Sequence, residues 1–219
     1  MKAVVLFSGG QDSCTVLEQA AAEYGNEALA LSVVYGQRHA IELECAAKYA
    51  ATLSVQHQVI EASFFGALAP SALTGAGDVS ADHPFIKGVP ASFVPNRNAF
   101  LLTLAHAKAQ AIGASVVYGG MCETDYSGYP DCRRGFIDAL EVALNAGSAA
   151  NVQFVTPLMD LTKAETFALA DKLGALHRVL EMSHTCYEGV REERHSWGYG
   201  CGECPACKLR KAGWEEYLA

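Results

Sequence analysis

The 219-residue chain lacks any uninterrupted apolar run near the roughly 18–20 residues that a membrane span requires. Its first apolar run, Ala3-Val4-Val5-Leu6-Phe7, is too short for the core of an export signal and stops at Ser8-Gly9-Gly10. A cytoplasmic protein with no membrane partner is therefore expected. Basic clusters are also missing: 24 acidic side chains face 16 basic ones, for a formal charge of −8. Affinity for nucleic acid comes largely from clustered Lys and Arg, so no direct nucleic-acid partner is expected. A small-molecule substrate fits this composition better. There is no internal repeat and no low-complexity tract. Absent too are the Lys that follows the last glycine of a Walker loop and the spacing G-x-G-x-x-G.

What is present is enough apolar material for a full α/β core, at 51% of the residues. Short β-branched runs alternate with longer amphipathic segments, the order of a parallel sheet covered by helices. Strands are predicted at Ala3–Phe7, Ala28–Val34, His57–Glu61, Ser115–Tyr118 and Gln153–Val155. Helices are predicted near Ser13–Tyr24, Ala40–Leu53, Ala99–Ile112, Arg134–Asn145 and Lys163–Leu173. Thr162 and Glu165 have the spacing of a capping box, and Gly113 and Gly174 stand just past two helices. Residues 64–95 are rich in Gly, Pro, Ser and Ala and too long for an ordinary connection, which points to a functional or mobile excursion. From Ser183 to Cys207 no apolar period is visible.

The glycine pair sits between the first strand and the first helix, in Ser8-Gly9-Gly10-Gln11-Asp12-Ser13. Adjacent glycines let backbone approach a ligand closely, and exposed amides with a helix N-terminus make an anion site. Asp12 would repel phosphates there unless Mg²⁺ intervenes. A tight turn with a helix cap and no ligand is the plainer alternative.

Eight cysteines without an export signal suggest metal chemistry more than a disulfide scaffold. Cys201, Cys204 and Cys207 recur every third residue, with Cys186 upstream, and four thiolates suit tetrahedral Zn²⁺ in a closed structural site. An iron–sulfur cluster, a redox pair, or His184 or His195 replacing one thiolate remain alternatives. Gly202 and Pro205 are expected to break any helix through the triplet. Cys14 and Cys45 are expected in the core, and Cys122 and Cys132 to be structural.

The first segment, Phe7-Ser8-Gly9-Gly10-Gln11-Asp12-Ser13, resembles the signature of the ATP pyrophosphatases. With Tyr35-Gly36-Gln37-Arg38-His39, Phe93–Asn98, Cys122–Arg133, Thr156–Met159 and the cysteine cluster, the chain is similar to the 7-cyano-7-deazaguanine synthase family over nearly its whole length. Asn96 stands where that family usually has glycine, and the longer Glu188–Gly200 span is expected to lengthen a surface excursion.

The resemblance implies an adenine nucleotide alpha-hydrolase-like fold: a five-stranded parallel sheet with helices on both faces, an ATP pyrophosphatase domain over 1–180 and a zinc-binding segment over 181–219. It implies ATP as co-substrate with Mg²⁺, structural Zn²⁺ on Cys186, Cys201, Cys204 and Cys207, and a homodimer. Nucleotide contacts fall on Phe7, Ser8, Gly9, Gly10, Gln11, Asp12, Ser13, Cys14, Thr15, Val16 and Leu17. Asp12 and Arg97 are the candidate catalytic residues. Arg97, Glu123, Asp125, Tyr126, Tyr129, Asp131 and Arg133 are the candidate substrate contacts, by stacking and by accepting ring N–H groups. The substrates implied are 7-carboxy-7-deazaguanine and ammonia. Lys163, in the first turn of its helix, is compatible with a phosphate contact or with a solvated position. A tRNA-modifying relative would need a basic face, and a nucleotide-binding module without turnover would not need the polar loop 123–133.

Overall fold

A computed structural model describes residues 1–37, 41–75, 77–124 and 129–219. The predicted strands form within one residue of the expected bounds: β1 (Ala3–Leu6), β2 (Ala28–Val34), β3 (Gln56–Glu61), β4 (Val116–Tyr118) and β5 (Gln153–Val155). They pair in parallel in the order β3-β2-β1-β4-β5. The four residues of β1 are all buried, as expected of a central parallel strand covered on both faces.

Alternation along β1 and β2 sorts the core into two layers. Ala3, Val5, Ala28 and Ala30 face α1 (Gln11–Tyr24), α2 (Ile41–Thr52), α6 (Lys163–Lys172) and α7 (Leu176–Met182). Val4, Leu6, Leu29 and Leu31 face α4 (Arg97–Ile112) and α5 (Arg134–Ser148). Thr162 caps α6 in the expected capping box, and Gly113 closes α4 at φ 70°. Asn96 precedes α4 at φ 60°, a left-handed conformation that Asn tolerates and glycine favours.

The excursion 64–95 is tied down. Its short helix α3 (Phe64–Leu68) stacks Phe65 on Phe100 at 4.3 Å. Backbone bonds join Ala72 to Ala91, Ala91 to Ala81 and His83 to Val89. Val89 and Phe93 then cluster with Tyr129.

Two expectations for the C-terminal region fail. Pro205 begins α8 (Pro205–Tyr217), with Cys204 as its N-cap, so Cys207 lies inside a helix. Proline at the first helical position loses no intrahelical bond and has its φ preset. The longer span before the cysteine triplet folds into a small hairpin, β6 (Arg194–His195) and β7 (Gly198–Tyr199). It buries Trp197, at 3% exposure, among the cysteines, so it is part of their packing. Helix α8 docks on α6 through Trp214 and Phe167, whose ring centroids are 5.2 Å apart.

Candidate active site

In the strand order the chain reverses direction between β1 and β4, and ligands of open α/β sheets bind at such a switch point. The loops after these two strands meet there. A Cβ on Gly120 would lie 3.3 Å from the Ser13 amide nitrogen. The loop after β1 is shaped by its own serines: Ser8 N–H donates to Ser13 Oγ at 3.2 Å, and Gly10 N–H to Ser8 Oγ at 3.2 Å. Gly10, the N-cap of α1, has no side chain to cap the first turn, and the Gln11 amide there is taken by Thr185 Oγ1 at 3.3 Å.

Gly9 lets this loop lie against α2. At φ +83°, an added Cβ would fall 2.7 Å from Glu42 O and 2.9 Å from Ala46 N, both fixed in a helix. Gly9→Ala is expected to destabilise the protein by about 2–4 kcal/mol, from left-handed strain plus overpacking. A urea titration checks this; a midpoint equal to the wild type would contradict it.

The loop opens on a cavity of about 340 Å³ lined by Phe7, Ser8, Gly10, Gln11, Asp12 and Ser13, with Ser32, Tyr35, Glu42, Arg97, Tyr129, Lys163, His184, Thr185, Tyr187 and Arg210. Beside it lies a second cavity of about 800 Å³, lined by Asp82, Ser92, Glu123, Thr124 and Arg133 among others. Cys122, Tyr129, Tyr187, Ala206 and Leu209 line both. Cys14, Thr15, Val16 and Leu17 follow in α1, all completely buried, with side chains in the body of the protein.

Asp12 is bound by Lys163, whose Nζ donates to Oδ1 at 2.8 Å and Oδ2 at 2.9 Å. The ammonium thus supplies one countercharge for Asp12, beside the Mg²⁺ that the sequence suggests with a bound nucleotide. Arg97 sits with its guanidinium 5.5 Å from the centre of the Tyr129 ring. Burial works against its charge, but Tyr35, Tyr129 and Asp131 outweigh that and raise its pKa.

Burial pushes Glu42 from an ordinary 4.5 up to about 7, against the lowering pull of Arg97. The folded state then holds a proton that the unfolded chain releases, so this group's contribution to stability declines as pH rises from about 4.5 to 7. Glu42→Gln is expected to flatten stability over that window, as denaturant midpoints at pH 5 and 7.5 would show.

The remaining predicted substrate residues separate. Tyr129 is buried, with its hydroxyl 2.8 Å from Ser92 Oγ. Glu123 accepts from the Arg134 amide at 2.9 Å, and Arg133 is exposed at the second cavity. Asp131 lines neither cavity: its Oδ2 accepts the Asn98 amide at 2.9 Å, and burial raises its pKa. Asp125 and Tyr126, like Arg38 and His39, lie outside the described residues.

The sequence reading did not anticipate Tyr35, Glu42, Thr185, Tyr187 and Arg210 as cavity residues. For Arg210 a signal was available: it lies three residues after Cys207 and so on the same helical face.

The sulfurs of Cys186, Cys201, Cys204 and Cys207 lie within 4.8 Å of one another and could hold a metal ion. Cys201 and Cys207 Sγ are 3.9 Å apart, close to the ~3.8 Å edge of a tetrahedron with Zn–S bonds of about 2.3 Å. Hydrogen bonds among the thiols lower the pKa of Cys186 and raise those of Cys204 and Cys207. The Cys201 sulfur also accepts the amides of Glu203 and Cys204, at 3.4 and 3.3 Å. Neither histidine joins the set: His195 Nε2 pairs with Gly200 O at 2.8 Å, and His184 faces the first cavity.

A five-stranded parallel sheet with a loop at its switch point and a C-terminal cysteine cluster define an α/β protein of the adenine nucleotide alpha-hydrolase-like fold. The chain belongs to the QueC family of queuosine biosynthesis proteins, whose family model matches residues 2–218. It is 49% identical to 7-cyano-7-deazaguanine synthase of Wolinella succinogenes, covering 99% of this chain and 94% of that protein. It is 45% identical to the protein of the same name from Helicobacter acinonychis, covering 99% and 96%. An NH3-dependent NAD synthetase from Campylobacter jejuni shares the fold, with a TM-score of 0.50 at 19% identity over 81% of this chain and 67% of that one.

Proposed function

We propose that the chain converts 7-carboxy-7-deazaguanine and ammonia to 7-cyano-7-deazaguanine with ATP, as a carbon–nitrogen ligase of queuosine precursor biosynthesis. The observation that carries this reading is the pair of cavities with common walls at Tyr129 and Tyr187. The smaller has the phosphate loop for ATP, and the larger has aromatic and acidic walls for a flat, N–H-rich base.

In this reading the substrate carboxylate oxygen attacks the α-phosphorus, and the α–β bridging bond breaks to release pyrophosphate. Ammonia then displaces AMP to leave the amide. The amide oxygen attacks a second ATP, again releasing pyrophosphate, and loss of AMP leaves the nitrile. The protein's part is orientation and charge neutralisation. The loop residues Ser8–Ser13 hold the phosphates, Asp12 would hold a Mg²⁺ with them, and Arg97 grips the substrate carboxylate. Tyr129 stacks on the base. Glu123 and Arg133 contact it from the second cavity, while Asp131 shapes the site by fixing the start of α4.

Zinc on the four cysteines would pin residues 181–219 onto the α/β body of residues 1–180. The exposed Phe64, Leu68 and Phe85 side chains support a homodimer. No helix among the described residues is long and apolar enough to cross a membrane.

The test is to incubate the protein with ATP, ammonia and the carboxy-deazaguanine and to identify the nucleotide product. AMP with pyrophosphate, dependent on the deazaguanine, is expected. ADP, or pyrophosphate release indifferent to the base, would sink the assignment.

A further inference from the structure

The wall of the first cavity holds three polar side chains that are at least nine-tenths buried yet incompletely bonded. They are Gln11 at both amide atoms, His184 at both ring nitrogens and Arg210 at Nε. Arg210 bears the heaviest desolvation, because an unpaired guanidinium is costly to remove from water. It is 1% exposed, and among the described residues no carboxylate oxygen forms an ion pair with it. It donates to Thr185 Oγ1 at 3.2 Å and to Val179 O at 3.3 Å, longer than ordinary charge-assisted bonds. Burial pushes its pKa down to about 10, despite the opposing pull of Cys14 and Asp12.

Two contacts place this cation at the phosphate loop. Thr185 Oγ1 also accepts the amide of Gln11, the first residue of α1, so one hydroxyl joins Arg210 to the helix end. Gly198, at φ +116°, leaves room for the guanidinium; a Cβ there would fall 2.5 Å from Nη2.

We infer that Arg210 is a ligand of the leaving pyrophosphate, contributed to the phosphate site by the helix that carries Cys207. The inference rests on the nucleotide reading of the first cavity. When the acceptor oxygen bonds to the α-phosphorus, the bridging bond breaks and its electron pair leaves on the pyrophosphate. A guanidinium already stripped of water meets that growing charge without reorganising solvent. The competing role is to balance the thiolates of the cysteine cluster, one turn earlier on α8.

The test uses the full chain with its metal and compares wild type, Arg210→Gln and Arg210→Lys. Pyrophosphate and AMP are titrated separately, and metal content is measured on the same samples. In Arg210→Gln, pyrophosphate affinity is expected to fall about 10- to 100-fold, the scale of a lost charge-assisted fork. AMP affinity and metal content should stay at wild-type values, and Arg210→Lys should recover part of the loss. Unchanged pyrophosphate affinity overturns the inference, and so does loss of metal with normal pyrophosphate binding in the metal-loaded fraction. If Arg210→Gln does not fold, Arg210→Lys decides by the same two titrations, a selective pyrophosphate loss supporting the role and unchanged binding ending it. If wild type binds neither ATP nor pyrophosphate, the nucleotide reading itself falls and takes this role with it. If wild type and both variants bind them equally, only the role of Arg210 falls.

Discussion

Lys163→Met is expected to lower kcat/KM for ATP by about 10³-fold or more, while the protein remains folded. Lys163 is 9% exposed and binds both oxygens of Asp12, whose side chain is 33% exposed at the phosphate loop. Removing the ammonium takes away one cation from the cavity. It also leaves a carboxylate directed at a triphosphate. Both changes oppose nucleotide binding, and both grow worse in a confined site of low dielectric.

Methionine keeps most of the aliphatic stem. That stem is packed, since a Cβ on Gly213 would fall 2.5 Å from Lys163 Cβ and Cγ. The double variant Asp12→Asn with Lys163→Met separates the two losses. Its ATP affinity should exceed that of Lys163→Met alone, because the bare carboxylate is gone. Near-normal kinetics in Lys163→Met would reduce the pair to a structural tie between α1 and α6.

Stripping the metal from the cysteine cluster, or replacing Cys207 by Ser, should weaken ATP binding about 100-fold or more and lower Tm by at least about 10 °C. The segment that carries the cysteines has little apolar core of its own: Trp197 and the cysteines make up most of its buried cluster. Its folding is therefore expected to depend on a metal held by the four cysteines. The same segment walls the first cavity with His184, Thr185, Tyr187 and Arg210. The His184 amide donates to Gly9 O at 2.8 Å, which ties it directly to the loop after β1. Nucleotide titrations before and after chelation, followed by zinc readdition, would measure the effect. A stripped protein with unaltered ATP affinity would show that the cluster and the cavity are independent.

Much of this architecture was legible in the chain. The strands announced themselves because a buried parallel sheet demands short β-branched runs, and Ser8–Ser13 because backbone amides need glycine to approach an anion. The triplet Cys201, Cys204 and Cys207 was readable from spacing, but whether Cys186 or a histidine joins it became visible only where the four sulfurs converge. The helix through Cys207 was not. Gly202 and Pro205 read as breakers, although a proline behind a capping residue starts a helix as readily as it stops one. Lys163 was visible but ambiguous, because its partner lies 151 residues earlier in sequence. Asp131 has the opposite character: an acidic residue in a polar loop suggests a ligand, and its carboxylate accepts the Asn98 amide in the first turn of α4.

Helix α8 places Cys207, Arg210 and Gly213 at intervals of three, all buried on one side. The first reaches the sulfur cluster, the second the nucleotide cavity and the third the stem of Lys163. Inserting or deleting one residue between them would rotate everything downstream by about 100° and disengage the later members together. Chain length is therefore fixed here to the single residue.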